Sequence, residues 1–169
     1  LLKAGVAGAA ALLFARWLYR PLPPPPTRIE DSNALDPAAR NIIAALIPVF
    51  LDGALPSGAE ASSVRAETLA GVDRAVTGLP PAMRQELADL FSLLAFAPTR
   101  CLLAGIWSSW PEASPEAIAS FLVRWRDSRF TLPRSAYAAL HQLVFSAWYA
   151  HPRAWPAIGY PGPPSLEPG

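Results

Sequence analysis

Chemistry in a protein needs particular side chains in company, and this sequence offers few. Its two histidines, His141 and His151, stand ten residues apart. A helical metal pair needs a spacing of three or four, with further ligands nearby. His141, beside Leu140 and Leu143, therefore reads as a structural or surface histidine. His151 reads as the end of a helix, where an imidazolium suits the negative end of the dipole, or as a partner contact. The single cysteine, Cys101, precedes Leu102 and Leu103 and reads as a small buried hydrophobe; it can form no internal disulfide. Glu60, Glu67, Asp73, Glu86 and Asp89 are scattered as helix-surface acids. There is no Gly-x-Gly-x-x-Gly, phosphate-binding loop, Gly-x-Ser-x-Gly or Cys-x-x-Cys-His. No catalytic, cofactor-binding or metal residue is assigned to this chain, and it is not expected to be an enzyme in its own right.

One charged stretch is distinctive. Arg124, Trp125, Arg126, Arg129 and Phe130, followed by Arg134, gather four arginines around two aromatics. Arginine and tryptophan are enriched where proteins dock, because a planar guanidinium both pairs with carboxylates and stacks. The plainer alternative is a solvated helix end with cations at its negative pole. The partner-binding reading joins this cluster to the C-terminal tail in one contact surface.

The tail itself, Trp148-Tyr149-Ala150-His151-Pro152-Arg153-Ala154-Trp155-Pro156-Ala157-Ile158-Gly159-Tyr160-Pro161-Gly162-Pro163-Pro164, cannot continue a helix. Pro152 and Pro156 lack an amide hydrogen, and Gly159 and Gly162 let the chain bend beside Tyr160. The pattern Trp148, Tyr149, Pro152, Trp155, Gly159, Tyr160, Pro161, Gly162 resembles the C-terminal signature of the gluconate 2-dehydrogenase subunit 3 family. The likeness extends back through Leu140 and Tyr137 to Leu132-Pro133-Arg134. Before about Ser114 it is a likeness of helical pattern and size alone. The resemblance implies a non-catalytic small subunit that accompanies a large flavoprotein dehydrogenase of the glucose-methanol-choline type. The partner would carry FAD and oxidise an alcohol or sugar, passing electrons to quinone or to a cytochrome c subunit with haem c. The present chain would bind no cofactor. It would stabilise the large subunit and help export it by a twin-arginine signal, or anchor it at the periplasmic face of the bacterial inner membrane. The arginine pair itself would lie upstream of Leu1.

Composition bounds the alternatives. The chain is 52% apolar and 16% charged, against about a quarter charged in ordinary soluble proteins. With so little charge to coat its surface, some apolar area should meet lipid or another subunit. A net charge of +1 gives no field suited to nucleic acid. A rival reading is a stand-alone helical, membrane-associated protein that holds a lipid or quinone in an apolar groove.

The elements that must position these residues follow in order. Residues 1–20 form an apolar segment, uncharged from Ala4 to Ala15 and shorter than the roughly 20 residues of a bilayer span. An export-signal core fits that length. A retained signal-anchor, which we favour, uses Leu12, Leu13 and Phe14 in the apolar phase, a snorkelling Arg16, and Trp17 and Tyr19 at the interface. Residues 21–36 read as a linker, stiffened by the polyproline run Pro21–Pro26. Residues 37–150 should form an all-α, irregular or orthogonal bundle of about six helices, and 151–169 an extended tail. Asp36 with Pro37 and Ser114 with Pro115 are helix starts, and Pro133 is expected to start the last helix. Pro48 is expected to kink the first helix. The buried faces should hold Ile42, Ile43, Leu46, Val49 and Phe50; then Val64, Leu69, Val72 and Val76; then Met83, Leu87, Leu90, Phe91 and Leu94. Pro98 should interrupt the third helix, with Thr99 capping a continuation through Cys101, Leu102, Leu103, Ile106 and Trp107. Ile118, Phe121, Leu122 and Trp125, and then Tyr137, Leu140, Val144, Phe145 and Trp148, complete the pattern.

Overall fold

The first described helix begins as its sequence requires. The Asp36 carboxylate accepts the Ala39 amide at 2.7 Å, and Pro37 takes the first helical position, where an amide hydrogen would have no partner. The computed structural model describes residues 35–56 and 58–155, all within the unit Asn33–Gly169. The signal-anchor of residues 1–20, nearly all of the linker, and Gly159, Tyr160, Pro161 and Gly162 of the tail lie outside the described residues.

Six α-helices follow among the described residues: α1 (Pro37–Phe50), α2 (Glu60–Thr77), α3 (Pro81–Ala95), the single turn α4 (Ala97–Thr99), α5 (Pro115–Arg126) and α6 (Thr131–Tyr149). A π turn, Arg100–Ala104, and 3₁₀ turns at Trp110–Glu112 and Pro152–Ala154 connect or end them; no strand occurs among the described residues. The fold is an all-α bundle.

Its centre is α1, which packs against α2, α3, α5 and α6. Ile42, Ile43, Leu46 and Ile47 lie on adjoining helical faces and are completely buried. Each such side chain contributes about 1.5–3 kcal/mol on leaving water. Helices α2 and α6 approach closely at Gly71, where an added Cβ would stand 3.1 Å from the Ala147 Cβ. Arg40 on α1 pairs with Asp73 on α2 at 2.5 Å, and Asp73 also accepts the Leu35 amide at 3.0 Å, which fixes the chain just ahead of α1.

Ser114 caps α5 by accepting the Ala117 amide at 3.2 Å, and Ile118, Phe121, Leu122 and Trp125 are buried as their spacing requires. Several expectations change. Helix α6 begins at Thr131, so Pro133 falls inside its first turn, where the missing hydrogen costs nothing. Met83 is half exposed, because most of the first two turns of α3 are in solvent and burial begins only further along at Phe91 and Leu94.

The interruption of α3 falls at Phe96, not Pro98. Phe96 is extended (φ −70°, ψ 120°), and Pro98 sits in the first turn of α4. Pro98 has no hydrogen for the Leu94 carbonyl four residues back, and its ring would collide with that carbonyl, so the helix must end earlier. The orphaned Leu94 oxygen is taken by the Trp110 indole at 2.8 Å. Thr99 does not cap the continuation with its hydroxyl, which instead lies between the carbonyls of Leu93 and Phe96. The segment Ala97–Ala104 leaves α3 at 82°. No single helix among the described residues is long and apolar enough to cross a membrane.

Candidate functional site

The arginine cluster divides at the end of α5. Arg126 pairs with the neighbouring Asp127 at 2.9 and 3.0 Å; the hydrogen bond, then the charge, raises the guanidinium above its ordinary value and lowers the carboxyl. Arg129 lies over the Phe130 ring at 4.8 Å, and Arg134 donates to the Ser128 carbonyl at 3.2 Å. These three arginines share one corner with the exposed side chains of Val123, Phe130 and Leu132. Arg124 does not join them. Its guanidinium donates to the Ala104 carbonyl at 2.5 Å and lies over Gly105, where an added Cβ would stand 2.8 Å from Nη2.

Trp125 is a core side chain, 8% exposed, with its ring 4.6 Å from Phe121 and its indole donating to the Leu103 carbonyl at 3.1 Å. Trp148 is likewise buried. At the end of α6, Tyr149 is exposed, Pro152 opens a 3₁₀ turn, and the half-buried Trp155 donates its indole hydrogen to the Tyr149 carbonyl at 3.1 Å. His151 Nε2 stands 3.0 Å from a Glu67 carboxylate oxygen on α2, so its side chain ties the turn to the bundle.

The arginine corner and the start of the tail are therefore not one local patch. They lie at opposite ends of α6, roughly 27 Å apart at 1.5 Å per residue. What joins them is a feature the sequence reading passed over. Tyr137, His141, Phe145 and Tyr149 recur every fourth residue and form a ladder of rings, with successive centroids 5.8, 4.2 and 5.8 Å apart. His141 and Phe145 are stacked, and Phe50 of α1 closes on Tyr137, His141 and Phe145 at 5.9, 5.6 and 6.4 Å. Beside the ladder, Leu122, Val123 and Arg126 of α5 help to line a shallow cleft of about 230 Å³. The four-residue spacing was the available signal. Only Tyr137 and Phe145 enter the expected apolar face, while His141 and Tyr149 read separately, as a structural or surface histidine and as part of the tail.

A second surface surrounds the π turn. Phe96, Leu102 and Leu103 are exposed there, and Trp107 is 83% exposed. A continuation of the third helix through Leu102, Leu103 and Trp107 was expected; instead the segment leaves α3 at 82°, and only Ala104 and Ile106 of it are buried. Cys101 is half-buried, its sulfur 3.5 Å from the Ile106 carbonyl. Among the described residues, no three His, Cys, Asp or Glu side chains gather as a metal site. No family model, no curated protein and no solved structure matches this chain.

Proposed function

We propose that this chain is a non-catalytic small subunit of a membrane-associated, periplasmic FAD-dependent alcohol or sugar dehydrogenase complex. It stabilises the large flavoprotein subunit and helps export or anchor it. The tail signature suggests the family. The observation that carries a docking role is the continuous face along α6, from Arg134 and the Arg126–Phe130 corner, over the ring ladder, to Tyr149 and Trp155. Rings held against one another lose little freedom on binding, and arginine beside aromatics is the composition of interface anchors.

Purification of the native protein in mild detergent, with mass spectrometry and a flavin absorbance scan, tests this reading. A co-eluting yellow protein of dehydrogenase size is expected. Arg126, Arg129 and Arg134 changed together to alanine should reduce its recovery. A colourless single-chain eluate overturns the proposal. The cleft beside the ladder favours one second reading, a stand-alone groove for a lipid or quinone, and bound lipid in that eluate would support it.

A further inference from the structure

From Leu90 to Pro111 the sequence carries a single charged side chain, Arg100, and no acid. The outermost part of this stretch exposes Phe96, Leu102, Leu103 and Trp107 together. Such a tip fits either a protein or a lipid surface, and its backbone distinguishes the two. A protein partner can bring donors to a loop's carbonyls; hydrocarbon brings none, so a bare carbonyl carried into it is costly.

In and beside this loop, seven carbonyls are met from within. Leu93 is reached by the Thr99 hydroxyl, and Phe96 by the Arg100 amide at 2.9 Å. Leu94 and Leu103 take the buried indoles of Trp110 and Trp125 at 2.8 and 3.1 Å. Cys101 accepts the Gly105 amide at 3.1 Å across a left-handed turn (φ 66°). Ala104 takes Arg124 at 2.5 Å, and Ile106 takes Arg100 Nε at 3.3 Å. Seven carbonyls between Leu93 and Ile106 thus find donors within the chain, although the segment is not a regular α-helix.

We propose that the Phe96–Trp107 tip is a monotopic membrane-insertion element. Leu102, Leu103 and Phe96 enter the acyl boundary, and Trp107 sits at the headgroup level. Arg100 and Arg124, each committed to the loop by one hydrogen bond, turn their remaining N–H groups to lipid phosphates. This contact is separate from any N-terminal anchor and does not depend on the dehydrogenase reading.

The test uses the full chain with Cys101→Ser and Trp107→Cys, labelled at residue 107 with an environment-sensitive fluorophore. It is mixed with phosphatidylcholine vesicles, with and without phosphatidylglycerol. The label is expected to brighten several-fold, shift to the blue and be quenched by nitroxides on the acyl chains, more strongly with the anionic lipid. The same label at Ser62→Cys, on the exposed side of α2, should remain water-like. Quenching of native tryptophan by brominated lipid, compared between wild type and Trp107→Phe, gives a second readout without a label. A residue-107 label as wet as the residue-62 control overturns the proposal. So does a label that dries only when a protein partner is added without lipid.

Discussion

The ring ladder on α6 and the tip at Phe96–Trp107 both bring large side chains to the surface, but they are built in opposite ways. In the ladder, side chains lean on one another and on Phe50, so each ring is half spent on the fold. At the tip, the backbone is tied inward by indoles and guanidinium, and Phe96, Leu102, Leu103 and Trp107 are left 40–83% exposed. The first arrangement suits the docking face proposed above. The second suits the proposed insertion into a medium without shape. Exposure by itself does not distinguish them; whether the side chains pack on one another does.

The largest expected effect comes from removing the tip's support. Trp125→Ala should destabilise the protein by about 3–5 kcal/mol, because it empties a core site and strips the Leu103 carbonyl of its donor. Denaturant unfolding measures it. A loss below about 1 kcal/mol would mean that the tip does not depend on the core behind it.

Next in size is a paired substitution. Phe145→Ala should cost about 2 kcal/mol, roughly half the value for a fully buried phenylalanine, because its ring is only half enclosed. Trp107→Ala, 83% exposed, should change stability by no more than about 0.5 kcal/mol. Equal losses at the two sites would erase the distinction between a surface that supports the fold and one that does not.

Gly105→Ala should cost about 1–2 kcal/mol for the left-handed backbone alone. It should also push Arg124 off the Ala104 carbonyl, since the new Cβ would come within 2.8 Å of its guanidinium. The loss should shrink when Arg124→Ala is already present, which a double-mutant cycle reads directly.

The two regions were unequally legible in the sequence. Asp36–Pro37 and Ser114–Pro115 were readable because a cap is a bond between residues three apart, with no tertiary partner needed. The core faces of α1, α2, α5 and α6 followed from spacing, since a helix that must bury one side repeats its apolar residues at helical intervals. The tip was less legible because that inference runs one way: apolar spacing says a face can be buried, not that anything will cover it. Leu102 and Leu103 depend on the 82° turn at Phe96, and that turn depends on Trp110, sixteen residues beyond Leu94, being placed to receive its carbonyl. Arg124 was grouped with Arg126 by proximity in sequence, yet residues two apart on a helix point to nearly opposite sides. The ladder needed only chemical attention to a spacing already in view.

The smallest effect concerns α5, the helix that contributes to both surfaces. Glu116, in its first turn, is held below its ordinary value by its own backbone amide and then by the Ser114 hydroxyl; Asp127, just past its end, is held down by Arg126. A carboxyl lowered in the folded state adds stability above its unfolded pKa and loses it as pH falls through the folded one. Both contributions are thus present at neutral pH and fade as pH falls below about 4.5 for Glu116 and about 3.8 for Asp127. The raised Arg126 matters only in strong alkali. Because these groups are fully exposed, solvent screens them and the change should be slight. Glu116→Gln with Asp127→Asn should melt marginally below wild type at pH 7, and the two melting curves should converge as the solution is acidified toward pH 3. A gap that persists in acid would show that the side chains act through shape rather than charge. That outcome would place the hold of α5 on the ladder and the tip in its packing alone.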